Sequence, residues 1–274
     1  MLTKEIEFFD LRQICNSGQC FRMREIGENR FSVTAGGRYL EAGQEGKQVW
    51  FYCSQEEFEN FWKGYFDLEQ DYGVYQAAVN PNDKYLKTAA ELGFGIRILR
   101  QDVWEMIISF LISQQNHIAR IRRCIENICR EYGEKKTGES GREYYGFPSP
   151  EALALASEED LLSCNLGYRA KYVIQSAKSV AGGEIDLEKL PELSYKKAKE
   201  ELRRLYGVGE KVADCICLFG LHKMEAFPVD THIRQALDAH YKRGFPQRRY
   251  KGMQGIMQQY IFYYELMKPS LRRS

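Results

Sequence analysis

The 274-residue sequence predicts an α+β fold, in which an N-terminal antiparallel β-sheet precedes a mostly α-helical region containing a helix-hairpin-helix. Three observations predict it. Between residues 20 and 53, short runs rich in aromatic and branched residues are punctuated by turn chemistry. Beyond "EEFENFWKGYF" the apolar spacing changes to three and four, and "LYGVGEKVADCICL" places two glycines between two helical runs.

In order along the chain, "FRMREIG", "RFSVTA", "RYLEA" and "QVWFYC" read as strands separated by "GEN", "AGG" and "GQEGK". "DVWEMIISFLISQQNHIARIRRCIENICREYG" holds two amphipathic stripes, Val103/Met106/Ile107/Phe110/Leu111 and Ile118/Ile121/Ile125/Ile128. The polar "QQNH" interrupts them, so a helix-loop-helix or a kinked junction is expected there. Helical periods recur in "SEEDLLSCNLGYRAKYVIQSAKSV", "SYKKAKEELRRLYG", "KVADCICLFGL", "VDTHIRQALDAH" and "GMQGIMQQYIFYYELM". The sheet-bearing unit is expected over residues 1–98. The helical region over 99–274 divides into a hairpin-bearing subdomain at about 116–243 and a second one built from 99–115 with 244–274.

Hydrophobic residues make up 44% and charged residues 28%, an ordinary globular composition. The formal charge of +1 argues neither for nor against a polyanionic partner, but the last eighty residues, with "YKRGFPQRRYKG" and "SLRRS", are richer in Lys and Arg than in Asp and Glu. That tilt permits contact with nucleic acid. No leader-like N-terminus and no run of eighteen apolar residues is present, so a cytoplasmic protein is the expectation, nucleoid-associated in a bacterium. The eight cysteines show no paired metal-site spacing and read as reduced, buried, small apolar residues.

The hairpin raises the first chemical question. A Gly-Val-Gly turn (Gly207, Val208, Gly209) followed by a helix start leaves backbone amides facing outward, a ready site for a phosphate. The plain alternative is an interhelical turn without a ligand. Lys211 stands in the opening turn of that helix, where the dipole opposes its charge by only about 0.3 to 1 kcal/mol. Making a nucleophile of an amine whose intrinsic pKa is about 10.4 takes about 4 kcal/mol, so burial against Val212, Ala213, Cys215 and Phe219 would have to supply most of it. Asp230, in "FPVDTHI", reads first as the N-cap of the next helix, worth about 1 kcal/mol. The same carboxylate could also stabilise positive charge developing on a sugar ring.

"LYGVGEKVADCICL…FPVDTHI" resembles the helix-hairpin-helix Gly-Pro/Val-Asp (HhH-GPD) base-excision glycosylases, and specifically the 8-oxoguanine DNA glycosylases/AP lyases. The nineteen residues from Lys211 to Asp230 fit that family's lysine and aspartate, and "NSGQCFRM", "SQQNHIARI", "LGYRAKYV" and "GIMQQYIFY" are similar to its other signature segments in its order. One departure is Tyr206, which stands where the family usually has proline.

The resemblance implies roles residue by residue. Gly18 would offer its carbonyl to the N7 proton that distinguishes 8-oxoguanine from guanine. Gln258 would read a Watson-Crick edge, and Phe262 and Cys215 would sandwich the base, with Cys217 left in the core. Gln258 and Phe262 lie four apart, on one helical face. Tyr168 resembles the intercalating residue, and Arg120 and Arg169 the two arginines that read the orphaned cytosine. Gln115 stands where the family has a gap-filling asparagine, with Asn116 beside it, and His117 replaces another polar residue. His232 resembles a histidine that holds the phosphate beside the flipped nucleotide.

The function this implies is a bifunctional glycosylase/β-lyase acting through a Lys211 Schiff base on double-stranded DNA containing 8-oxoguanine opposite cytosine. It would work as a monomer without a required cofactor, a structural monovalent cation at the hairpin being the one ion the resemblance allows for. The alternatives are a monofunctional alkylated-base glycosylase on the same scaffold and a non-enzymatic helix-hairpin-helix DNA-binding module.

Overall fold

The computed structural model describes residues 1–138 and 141–271; Arg272 and Arg273, counted above in the basic C-terminal region, lie outside the described residues. Five strands, β1 (Leu2–Glu5), β2 (Met23–Gly27), β3 (Arg30–Ala35), β4 (Arg38–Glu45) and β5 (Gln48–Phe51), form one antiparallel sheet in the order β1-β5-β4-β3-β2. The four hairpin-linked strands β2 to β5 follow the expected segments. The edge strand β1 carries no flanking turn signal and was not foreseen. Register puts Phe31 opposite Ala42 and Ala42 opposite Phe51, so alternate residues share one buried face. That face closes over Leu11 and Ile14 from the short helix Leu11–Asn16, Phe58 and Trp62 from the helical run Gln55–Tyr65, and Phe66 at the end of that run.

The helical region has a separate core. The helix Val103–Ser113 is buried along almost its whole length, from Trp104 to Ile112, and packs against the helices Ile118–Tyr132, Arg169–Ala181 and Glu210–Phe219. The "QQNH" break is a true loop: Asp102 caps the first helix, His117 caps the second, and Gln115 between them has a φ of +47°. A two-stranded hairpin, β6 (Lys135–Thr137) and β7 (Glu143–Tyr145), interrupts the helices, again unforeseen from so short a pattern.

The division between the two cores differs from the expected boundary at residue 98. Tyr72, Tyr75, Leu86, Ala89, Ala90, Ile96 and Ile98 pack into the helical core, while Leu99 reaches back into the sheet core. The cause is the terminal helix Gln254–Leu271, which covers the helix Lys84–Leu92 and draws these residues to itself. Arg97 sews the two units together, donating to the carbonyls of Glu7, Phe8, Asp67 and Gln70 at 2.8 to 3.1 Å. All eight cysteines are buried. No helix among the described residues is long and apolar enough to cross a membrane.

Candidate active site

The hairpin is built from the helices Tyr195–Leu202 and Glu210–Phe219. Asp214 locks them together by accepting from Tyr195 Oη (2.5 Å) and Lys199 Nζ (2.9 Å). Between them Gly207 has a φ of +87°, and a Cβ there would stand 2.6 Å from the Tyr172 ring, so both backbone angle and space demand glycine. Tyr206, in the position where proline was expected, is half-exposed and packs edge-on against Tyr172 at 5.5 Å. Gly209 caps the second helix with extended backbone and no side-chain partner, leaving the first amides of that helix uncapped by any side chain.

Lys211 follows within the first turn. Its side chain is half-buried, and Nζ lies 5.6 Å from the centre of the Phe110 ring, which stacks on Phe219 at 5.4 Å and meets Phe21 edge-on at 5.7 Å. The apolar floor under the amine is thus Phe110, from a helix about a hundred residues earlier. Periodicity marks Phe110 only as a core residue, so no sequence signal gave it this place.

Asp230 caps the helix Thr231–His240, accepting from Ile233 N–H at 2.8 Å. Its position is fixed by that bond, and it lines the same cavity as Lys211. This cavity, about 850 Å³, also takes in Gly18, Phe21, Phe110, Gln115, Asn116, His117, Gly209, His232 and Phe262. Behind it a recess of about 40 Å³ is walled by Gly18, Lys211, Cys215, Asp230, Gln258 and Phe262. So small a recess holds about one water molecule and would have to widen to take a base.

The recess walls are chemically simple. Gly18 has a φ of +74°, and a Cβ there would sit 2.8 Å from the Phe262 ring. Burial pushes the Cys215 thiol up to about 11, with Lys211 opposing the shift, so this wall is a neutral thiol. Gln258 is 3% exposed, donates to the Pro228 carbonyl at 3.0 Å and accepts from Gln259 at 3.2 Å. His232 is exposed beside Phe262, ring centres 6.0 Å apart.

The residues assigned to the opposite strand separate into two kinds. Arg120 is exposed, with one donor on the Asn165 carbonyl at 3.3 Å, and Tyr168 is half-exposed. Arg169 is not placed for base reading in this structure: it is 3% exposed and donates to the carbonyls of Gln114 (2.8 Å), Gln115 (2.9 Å) and Leu166 (3.3 Å). Those bonds hold the left-handed turn at Gln115, which is why an arginine in a helix's first turn is buried here. Val208 is buried in the hairpin turn, and Gln114 Nε2 donates to the Gly207 carbonyl at 3.1 Å, joining that turn to the 114–117 loop. His117 serves its own helix, accepting from Arg120 N–H at 3.3 Å.

Residues 1–107 match the family described as 8-oxoguanine DNA glycosylase, N-terminal domain, and residues 108–250 match the HhH-GPD superfamily base excision DNA repair proteins. A probable N-glycosylase/DNA lyase of Methanothermobacter thermautotrophicus is 33% identical over 76% of this chain and 73% of its own length. An N-glycosylase/DNA lyase of Saccharomyces cerevisiae is 36% identical over 59% of this chain, and the match spans 46% of that protein. The Clostridium acetobutylicum 8-oxoguanine glycosylase/lyase, solved with double-stranded DNA containing cytosine opposite 8-oxoguanine, superposes with a TM-score of 0.90 at 37% identity, covering 96% of this chain and 93% of the other.

Proposed function

The chain belongs to the HhH-GPD superfamily of base excision DNA repair proteins, and from that premise we propose that it is a bifunctional 8-oxoguanine DNA glycosylase and AP lyase. One observation carries the reading: Lys211 and Asp230 face a single cavity whose inner recess is walled by Gly18, Cys215, Gln258 and Phe262.

The substrate is duplex DNA containing 8-oxoguanine opposite cytosine. The uncapped amides after Gly209 take a backbone phosphate of the damaged strand, with His232 at a neighbouring one. The nucleotide is everted at a cost of a few kcal/mol, and Gln115 and Asn116 face the gap. Phe262 moves off Gly18 to admit the base, whose N7–H is received by the Gly18 carbonyl.

Lys211 Nζ attacks C1′ through its nitrogen lone pair. The C1′–N9 bond breaks, its electron pair leaves with the base, and the base takes up a proton. The Asp230 carboxylate stabilises the positive charge that builds on the sugar during this step. Ring opening gives an iminium between C1′ and Nζ. Loss of a C2′ proton then expels the 3′ phosphate, and water hydrolyses the iminium to regenerate the amine. These steps use this chain's own groups; a monovalent cation at the hairpin would brace the turn and take no part in the chemistry.

Borohydride reduction during turnover tests the assignment. Wild-type protein is expected to become covalently linked to 8-oxoguanine duplex, and Lys211→Gln to lose the adduct while still binding the duplex. An adduct that persists in Lys211→Gln refutes the proposal.

A further inference from the structure

A second cleft, outside the reaction cavity, lies between the sheet, the helix Ile118–Tyr132 and the β6-β7 hairpin. It encloses about 300 Å³, at the lower end of the range for small-molecule sites. Phe21 is the partition, lining this cleft and the reaction cavity alike. Five arginines line the cleft: Arg22, Arg24, Arg122, Arg130 and Arg142. Among the described residues only two carboxylates, Glu126 and Glu143, line it with them, and both are engaged. Glu126 pairs with Arg24 and Arg130, and Glu143 with Lys135.

The deepest cations are incompletely satisfied. The Arg22 side chain is 10% accessible and donates to the Tyr145 carbonyl, while its Nη1 has no hydrogen-bond partner and lies 3.6 Å from Glu105. Arg122 has no ion-pair partner among the described residues; its Nη2 donates to the Cys15 carbonyl at 2.9 Å, and its buried Nε has no hydrogen-bond partner. An unmet buried donor is costly, and five converging guanidiniums repel one another. Arg24 records the strain: burial, and then Arg122, Arg22, Arg130 and Arg142, lower its hold on its proton. An acceptor-only dianion in the cleft offsets that repulsion, and guanidiniums suit phosphate oxygens in particular.

We propose that this cleft binds a phosphate monoester of mononucleotide size or inorganic phosphate. The depth of Arg22 favours a terminal phosphate over the backbone of a duplex, which cannot carry a phosphodiester to the cleft floor. At the rim, the stacked rings of Tyr39 and Tyr144, 5.5 Å apart, offer an apolar face for an attached nucleoside.

The test is a calorimetric titration of the full chain with inorganic phosphate and, separately, with deoxyadenosine monophosphate, at ionic strength held constant with chloride. Saturable binding of either is expected. The double variant Arg130→Glu with Arg142→Glu, whose side chains are more than half exposed, should weaken it at least tenfold, while Lys211→Gln should leave it intact. Absence of binding overturns the proposal. So does binding that survives the double variant, or that Lys211→Gln abolishes, because the anion then sits in the reaction cavity. If undamaged duplex displaces the phosphate and the double variant weakens duplex binding to the same degree, the cleft is a strand contact and the proposal also falls. Borohydride trapping of the double variant on damaged duplex keeps these outcomes separate from failure of the glycosylase reading.

Discussion

Asp230 shows how one residue can carry two roles that a single substitution pulls apart. Asparagine caps a helix as well as aspartate does. Asp230→Asn should therefore change stability by less than about 0.5 kcal/mol in urea unfolding, while the loss of its charge should slow single-turnover excision by about 10²-fold or more. Equal losses in both measurements would reduce Asp230 to its cap. Gly18 gives a sharper division. Its φ of +74° and the 2.8 Å approach of Phe262 mean that Gly18→Ala must displace the ring. Excision of 8-oxoguanine should fall, whereas Schiff-base trapping on a preformed abasic site, which needs no base in the recess, should persist.

At the level of elements, the turn at 114–117 is where local sequence and tertiary support meet. The polar break in the apolar stripe is readable in the sequence, and the two helices end and begin where it predicts. What holds the turn is Arg169, from a helix more than fifty residues later, with the hairpin joined to it through Gln114 and Gly207. Arg169→Ala would leave the Gln114 and Gln115 carbonyls without these donors, at a cost of about 1–3 kcal/mol. Its thermal midpoint should fall, and incision should decline alike opposite all four bases. Arg120→Ala, at an exposed site, should leave the midpoint nearly unchanged and alter the ranking of opposite bases. If Arg169→Ala instead changed that ranking at unchanged stability, the guanidinium would be reading a base.

Across the whole molecule, the two cores are joined by buried charge as well as by apolar packing. Arg97 ties the sheet unit to the helical unit through four backbone carbonyls, with its guanidinium 4.5 Å from the centre of the Tyr72 ring. Arg22 meets Glu105, whose carboxyl burial pushes up to about 7, with Arg22 opposing the shift. Because the folded chain holds this proton more tightly than the unfolded chain does, the contribution to stability is complete below the ordinary carboxyl value of 4.5 and is lost as pH rises to about 7. Glu105→Gln removes that titration. The stability difference between wild type and the variant should shift with pH between about 4.5 and 7 in wild type's disfavour, by a few kcal/mol at most. A difference that stays constant over that interval would show that Glu105 does not titrate there.

The sequence by itself determined the class of fold, the hairpin with its lysine and the helix-capping aspartate, and the helices that carry Gln258 and Phe262, because these depend on periodicity and on residues within a few positions of one another. It did not determine where the two cores divide, that Phe110 lies beneath the amine, or that Arg169 is buried on the carbonyls of a turn. Those outcomes rest on contacts between segments distant in the chain, and local patterns of polarity carry no record of which distant surface a side chain will meet. The same physical reason hid the arginine cleft, whose five cations come from three separate stretches that only the folded chain brings around one space.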